Sequence, residues 1–215
     1  MNTSTPSSST LVRKPETVLK QVFGYSEFRD GQKAVIDAAI NGQDSLVLLP
    51  TGGGKSVCYQ IPALVLEGVT IVISPLISLM QDQVTQLQAL GVKAAYVNNS
   101  LAREEQQLVY QQLHQGQIKL LYVAPEKVLQ REFLERLSHL NVSLFAIDEA
   151  HCVSHWGHDF RPHYFRLNEL KQRFAHVPMM ALTATADKAT RFDIVEQLKL
   201  QQPYIHTGSF DRPNI

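Results

Sequence analysis

Short apolar runs separated by amphipathic stretches set the rhythm of this chain from about residue 17 onward. Runs at 45–49, 70–74, 94–97, 119–123, 143–147, 179–183 and 204–206 are short, dominated by apolar residues, and predict β-strands. Between them, 76–90, 103–115, 132–140 and 188–198 carry apolar residues at helical spacing and predict amphipathic helices. Strands that are apolar almost throughout, alternating with helices, predict an α/β fold with a mostly parallel sheet and helices on both faces. Residues 1–10 fall outside this rhythm, being Ser/Thr-rich with one proline and no apolar segment. The reading is an unstructured lead-in over 1–16, not a signal peptide, followed by one domain over 17–208. The tail Ser209-Phe210-Asp211-Arg212-Pro213-Asn214-Ile215 reads as the start of a linker into a further domain.

A chain of 215 residues has room for one large domain with a substantial core. Its 44% hydrophobic and 19% charged residues are ordinary for a globular protein. Twenty basic residues balance twenty acidic ones, so bulk charge does not signal a polyanionic partner. A local basic patch remains open, since phosphate contacts need only that. No apolar run approaches the ~18–20 residues of a membrane span, so no membrane partner is expected. Cys58 and Cys152 lie in apolar or motif surroundings and read as reduced thiols, which points to the cytoplasm.

Two of the strands run straight into polar turns with recognisable chemistry. Leu46-Val47-Leu48-Leu49 is followed by Pro50-Thr51-Gly52-Gly53-Gly54-Lys55-Ser56, with a helix expected from near Lys55. Three glycines allow positive φ and turn backbone N–H groups inward as an anion nest, and the helix start adds partial positive charge. Lys55 would reach the β/γ-phosphates of a nucleotide, and the Ser56 hydroxyl would ligate Mg²⁺. The general phosphate-loop pattern places Gly where this chain has Leu49, a departure that only some branches tolerate. The second turn follows Leu144-Phe145-Ala146-Ile147 and reads Asp148-Glu149-Ala150-His151. Asp148, at the carboxyl end of its strand, would hold Mg²⁺, and Glu149 would orient and deprotonate the attacking water. Ala181-Leu182-Thr183-Ala184-Thr185-Ala186 ends a third strand. Its hydroxyls suit either hydrogen bonds to the 148–151 turn or the N-cap of the next helix.

A loop rich in aromatic, His and Arg residues begins a few positions past Glu149, reading Cys152-Val153-Ser154-His155-Trp156-Gly157-His158-Asp159-Phe160-Arg161-Pro162. Trp156 and Phe160 beside His158 and Arg161 suit the stacking of single-stranded bases, worth ~1–3 kcal/mol per base. His155, His158 and Cys152 lack a second ligand pair, so the spacing does not read as a zinc site.

These segments together resemble the first motor domain of superfamily 2 helicases, and specifically the RecQ family of DNA helicases. Phe23-Gly24-Tyr25 followed by Phe28-Arg29 and Gly31-Gln32 is similar to the family's adenine-recognition motif. Pro50–Ser56 with Cys58-Tyr59-Gln60-Ile61-Pro62-Ala63 resembles motif I, and Ser74-Pro75-Leu76-Ile77-Ser78-Leu79-Met80-Gln81-Asp82-Gln83 resembles motif Ia. Tyr122-Val123-Ala124-Pro125-Glu126 is similar to the block that follows, Asp148–His151 to motif II and Ala181–Ala186 to motif III. The aromatic loop is the most specific of these.

The resemblance implies a RecA-like P-loop domain using ATP and Mg²⁺. In it Tyr25, Arg29 and Gln32 would bind adenine, Thr51, Gly52, Gly53, Gly54, Lys55 and Ser56 the phosphates, and Lys55, Asp148 and Glu149 would act in hydrolysis. Trp156, His158, Phe160, Arg161, Thr183 and Thr185 would contact DNA or couple it to hydrolysis. It further implies 3′→5′ unwinding of duplex DNA, movement on single-stranded DNA, and service in repair and recombination. Single-strand-binding and recombination proteins are the implied partners, in a bacterial, nucleoid-associated setting. The family's zinc module belongs to a later region. A second RecA-like domain would supply an arginine finger, worth roughly 10³–10⁵ in rate, so the chain alone is expected to hydrolyse ATP slowly. An RNA helicase or nucleic-acid-stimulated remodelling ATPase is the alternative in the same class. A small-molecule kinase or a catalytically quiet DNA-binding module stands outside it.

Overall fold

The computed structural model describes residues 13–155 and 159–208. In chain order the elements are α1 (Pro15–Phe23), α2 (Gln32–Ile40), β1 (Ser45–Leu48), α3 (Lys55–Val65), β2 (Val69–Ile73) and α4 (Ile77–Ala89). There follow β3 (Ala94–Val97), α5 (Arg103–His114), β4 (Leu120–Val123), α6 (Pro125–Val128), α7 (Arg131–Ser138) and β5 (Val142–Ile147). A 3₁₀ turn (Ala150–Val153), α8 (Pro162–Phe165), α9 (Asn168–Arg173), β6 (Met179–Thr183), α10 (Lys188–Gln197) and β7 (Tyr204–Thr207) complete the chain. All seven strands expected from the apolar runs form, and they join one sheet in the order β3-β4-β2-β5-β6-β1-β7. Every pairing in it is parallel.

Alternation along each strand divides the core in two. Leu46, Leu48, Ile71, Ile73, Phe145 and Ile147 face one layer, packed with residues of α5 to α10. Val47, Val72, Leu144, Ala146, Met180 and Leu182 face the other, packed with α2, α3 and α4. A satellite cluster of Val18, Leu19, Ile36, Val57 and Ile61 seats α1 across α2 and α3. Because both faces are covered, the strands can be apolar throughout, which is why they were legible as runs.

The helix α1 opens at Pro15, inside the stretch expected to be an unstructured lead-in. A proline at the first helical position loses no hydrogen bond and has φ already set. Gly24 closes the helix in the left-handed region (φ +73°), with its N–H returned to Leu19 and Lys20 carbonyls. Residues 1–12 and the linker expected at 209–215 lie outside the described residues.

At the amino ends of the strands, Asp44 ties four elements together. Its carboxylate accepts from Lys171 Nζ on α9 (2.7 Å), from the Met179 N–H opening β6 (2.8 Å) and from the Gln201 N–H before β7 (2.7 Å). Lys171 and Asp44 are both buried, and Lys171 also donates to the Val177 carbonyl (3.2 Å). A buried ion pair tolerates its desolvation only with this degree of hydrogen bonding.

Candidate active site

Strand order decides what meets at the carboxyl edge of the sheet. β6 lies between β1 and β5, so the motif after β6 stands between the glycine loop and the acidic turn. Leu48 is in register with Thr183 and Ile147 with Ala181, and the Leu49 N–H donates to the Thr183 carbonyl (3.2 Å).

The glycine loop uses its glycines for conformation. Gly52 and Gly54 adopt positive φ (+78° and +82°), and Gly54 is the residue that launches α3. The Gly53 N–H closes a turn onto the Pro50 carbonyl (2.8 Å). Lys55 Nζ donates to the Leu49 carbonyl (3.1 Å), bending the ammonium back over the mouth of the loop. Thr51 is exposed and Ser56 half-buried at the start of α3. Leu49 occupies the departing position with only 5% exposure, packed in the core layer of β1.

The adenine candidates divide. Tyr25 stands 54% exposed, beside an open cleft that Phe23, Ser56, Val57 and Gln60 also line. Gln32 is only 3% exposed, and both ends of its amide are engaged. Its Nε2 donates to the Gly54 carbonyl (3.1 Å) and its Oε1 accepts from the Arg29 N–H (2.8 Å), while Arg29 Nη1 donates to the Gly52 carbonyl. Residues 29–32 therefore brace the glycine loop from behind. To meet an adenine, as expected of Gln32, its amide would exchange the Gly54 carbonyl or the Arg29 N–H for the base.

The acidic turn is strained and polarised. Asp148 closes β5 with its N–H on the Ile73 carbonyl (2.9 Å), and Asp148 Oδ1 accepts from the Glu149 N–H (3.0 Å). Glu149 takes the left-handed conformation (φ +51°), rare for a non-glycine residue. Burial, then the neighbouring Glu149 charge, pushes the Asp148 carboxyl up to about 6, against the opposing pull of the Glu149 N–H and the Lys55 charge. The influence of Lys55 on Asp148 shows the two motifs converging on one space. Tyr164, wholly buried on α8, donates its hydroxyl to the Asp148 carbonyl (2.8 Å).

His151 connects this turn to β6. Its Nδ1 lies 3.0 Å from Thr183 Oγ1 and 3.3 Å from Glu149 Oε2, and the Thr183 hydroxyl donates to the Thr185 carbonyl (3.1 Å). Thr183 is therefore joined to the turn through its hydroxyl, whereas exposed Thr185 contributes a carbonyl. Neither threonine caps the next helix. Asp187 does, accepting from the Thr190 N–H (2.8 Å).

In the loop beyond, Phe160 stacks on His155 (centroids 4.1 Å apart), and His155 also packs on Phe165 (5.1 Å). One face of Phe160 is thus taken by the protein. The Arg161 guanidinium meets Asp159 (3.3 Å), and the Arg161 N–H donates to the Cys152 carbonyl (3.0 Å). Ser154 Oγ donates to Asp193 on α10 (2.7 Å). Burial, with Asp159 adding to it, pushes the Cys152 thiol up to about 12. Trp156 and His158 lie outside the described residues.

Residues 29–192 match the family model described as DEAD/DEAH box helicase. The chain is 61% identical over 198 residues to the ATP-dependent DNA helicase RecQ of Pasteurella multocida, covering 92% of this chain and 31% of that protein. It is 57% identical over 212 residues to the RecQ of Haemophilus influenzae, covering 98% and 34%. The chain thus spans about a third of the length of these relatives. Among solved structures, the DUF1998 helicase MrfA bound to DNA matches with a TM-score of 0.72 at 17% identity, over 93% of this chain and 30% of that one. The Pyrococcus furiosus Hef helicase domain matches with a TM-score of 0.65 at 18% identity, over 87% and 39%. At such identity these two likenesses concern the fold, which is that of helicase motor domains. The chain belongs to the DEAD/DEAH box helicase family, and over nearly its whole length it is similar to RecQ helicases.

Proposed function

We propose that this chain is the nucleotide-binding motor domain of an ATP-dependent DNA helicase, coupling hydrolysis to 3′→5′ movement on single-stranded DNA and to duplex unwinding. The observation that carries the reading is the placement of Thr183. It sits on the strand between the glycine loop and the acidic turn, in register with one and hydrogen-bonded through His151 to the other. A change at the phosphates has a direct mechanical route from there into the loop that follows His151. The names of the similar proteins, ATP-dependent DNA helicase RecQ, support DNA as the substrate, and repair and recombination are the setting we propose. Single-strand-binding and recombination proteins are the proposed partners, within the bacterial cytoplasm at the nucleoid.

The residues suit magnesium and a triphosphate. Ser56 and Asp148 offer the hard oxygen donors Mg²⁺ takes, and the raised Asp148 carboxyl is one that a cation would pull back to its ionised form. Bound with the nucleotide, Mg²⁺ would neutralise phosphate charge. Lys55 would leave the Leu49 carbonyl for the β/γ-phosphates, and the N–H groups of residues 52–56 would hold phosphate oxygens. Glu149, next in the chain on a left-handed backbone, would take the proton of the attacking water. Tyr25 would lie against the base, and Phe160 and Arg161 would meet the nucleic acid along with Trp156 and His158. Steady-state hydrolysis by the full-length parent with single-stranded DNA, with RNA and with neither tests this. Stimulation by DNA alone is expected. Equal turnover in all three would leave the phosphate loop standing and end the helicase reading.

A further inference from the structure

We propose that His151 Nε2, Cys152 Sγ and Asp159 Oδ2 form a site for a soft divalent cation of the zinc type, separate from the nucleotide's magnesium. The three donor atoms lie within 4.8 Å of one another. The sulfur stands 3.9 Å from the imidazole Nε2 and 3.7 Å from the carboxylate oxygen. With metal–sulfur near 2.3 Å and metal–nitrogen or –oxygen near 2.0–2.1 Å, tetrahedral ligand atoms stand about 3.5 Å apart. The two distances from the sulfur therefore stand within a few tenths of an ångström of that spacing, and the third, between His151 and Asp159, lies within 4.8 Å.

The hydrogen bonds around His151 fix which nitrogen is available. Thr183 gives its single hydroxyl proton to the Thr185 carbonyl, so at its contact with His151 Nδ1 it can only accept. Nδ1 therefore carries the proton of the neutral imidazole, and Nε2 keeps its lone pair on the side of the sulfur. This is the orienting outer contact that metal-bound histidines use, here supplied from a buried strand residue. Glu149 Oε2, 3.3 Å from the same Nδ1, adds negative charge beside the site.

Thiol, imidazole and one carboxylate are a donor set for zinc, whereas magnesium takes oxygen alone. The two cations would sort by chemistry, magnesium to Ser56 and Asp148 and the softer ion to this trio. On binding, the Cys152 thiol loses its proton to solvent, Asp159 exchanges its contact with Arg161 for the metal, and water completes the fourth position. Cys152 is buried and Asp159 exposed, so the ion enters from the Asp159 side. Its effect would be to clamp the start of the aromatic loop onto the acidic turn. The sequence hides the trio, because positions 151, 152 and 159 show no paired ligand spacing.

The test uses the reduced, metal-free 215-residue chain titrated with Cd²⁺ and Co²⁺ in excess Mg²⁺. One equivalent should bind with a thiolate-to-metal charge-transfer band, and Zn²⁺ should displace it. Cys152→Ser should abolish the band, Asp159→Asn should weaken binding roughly tenfold or more, and Cys58→Ser, removing the other thiol, should change neither. No band, a band surviving Cys152→Ser, or a band lost with Cys58→Ser would overturn the proposal. Should Cys152→Ser fail to fold, Asp159→Asn decides alone, because its side chain is exposed and unchanged affinity there would equally end the idea.

Discussion

Replacing Asp148 with Asn should make the metal-free chain more stable at neutral pH while removing the carboxylate assigned to magnesium. The magnitude follows from the carboxyl itself, held at about 6 in the folded chain against an ordinary value of 3.8. That gap corresponds to about 3 kcal/mol by which folding disfavours the ionised form, taken as an upper bound because the side chain keeps some access to water. Below pH 3.8 both states hold the proton, and the group contributes nothing to the pH dependence. Between 3.8 and about 6 the folded chain holds a proton that the unfolded chain has released, so stability falls as pH rises. Above about 6 the full penalty applies. Asn keeps the shape, can still accept from the Glu149 N–H, and carries no charge to repel Glu149. Urea unfolding with chelator present should show Asp148→Asn gaining about 1–3 kcal/mol at pH 7.5 and much less at pH 4.5. With Mg²⁺ and nucleotide added, the advantage should shrink or reverse, since only the native carboxylate gains from the cation. An Asn variant less stable than the native chain at pH 7.5, or a gain that does not depend on pH, would refute the electrostatic account of this turn.

Three other perturbations probe separate parts of the fold. Asp44→Ala strands buried Lys171 and two backbone N–H groups and should cost about 3–5 kcal/mol in urea unfolding, with Asp44→Ala/Lys171→Met costing less than the sum of the singles. Gly54→Ala places a methyl 2.3 Å from Gln32 Nε2 at φ +82°, so about 1–2 kcal/mol of backbone strain and a displaced Gln32 should weaken binding of a fluorescent ATP analogue. A Gly54→Ala chain that binds the analogue normally would show that Gln32 does not brace the loop. Tyr164→Phe leaves the Asp148 carbonyl short of a buried partner and should cost about 1–3 kcal/mol by thermal unfolding. It should also lower DNA-stimulated hydrolysis in the full-length parent while leaving nucleotide affinity close to native.

The strands were legible because a doubly covered parallel sheet calls for short, mostly apolar runs, although the edge strand β7 alternates half-buried and exposed positions. Seven such runs correspond to β1 to β7 within a residue or two at each end. The glycine loop and acidic turn were legible because each is a contiguous string whose chemistry follows from local backbone. What escaped is what depends on distant pairing. Asp44 and Lys171 are 127 residues apart and meet only because α9 leads into β6 beside β1. The contacts of Gln32 to the Gly54 carbonyl and the Arg29 N–H, which tie it to the glycine loop, likewise depend on a pairing that sequence does not display. The short helices α6, α8 and α9 have too few turns for a periodic signal, and Pro125 and Pro162, which open two of them, read equally as loop residues. The hydroxyl and carbonyl of the motif after β6 look alike in sequence. Only the folded side-chain contacts show that Thr183 meets His151 and that Asp187 takes the cap.

Two unfavourable features of the domain meet at one turn. Glu149 is in a left-handed backbone, and Asp148 carries a carboxyl that burial and its neighbour both oppose. Tyr164, the Cys152 N–H on the Glu149 carbonyl and the His151–Thr183 contact hold that turn in place from three directions. Each of these holders belongs to, or leads directly into, the segments on either side of the aromatic loop. A cation arriving with the nucleotide would relieve the Asp148 penalty, and the relief would be felt by the groups that hold the turn. Mechanical coupling in this domain would then need no long pathway, because Cys152 hydrogen-bonds through its N–H to Glu149 of the strained turn and through its carbonyl to Arg161 of the loop.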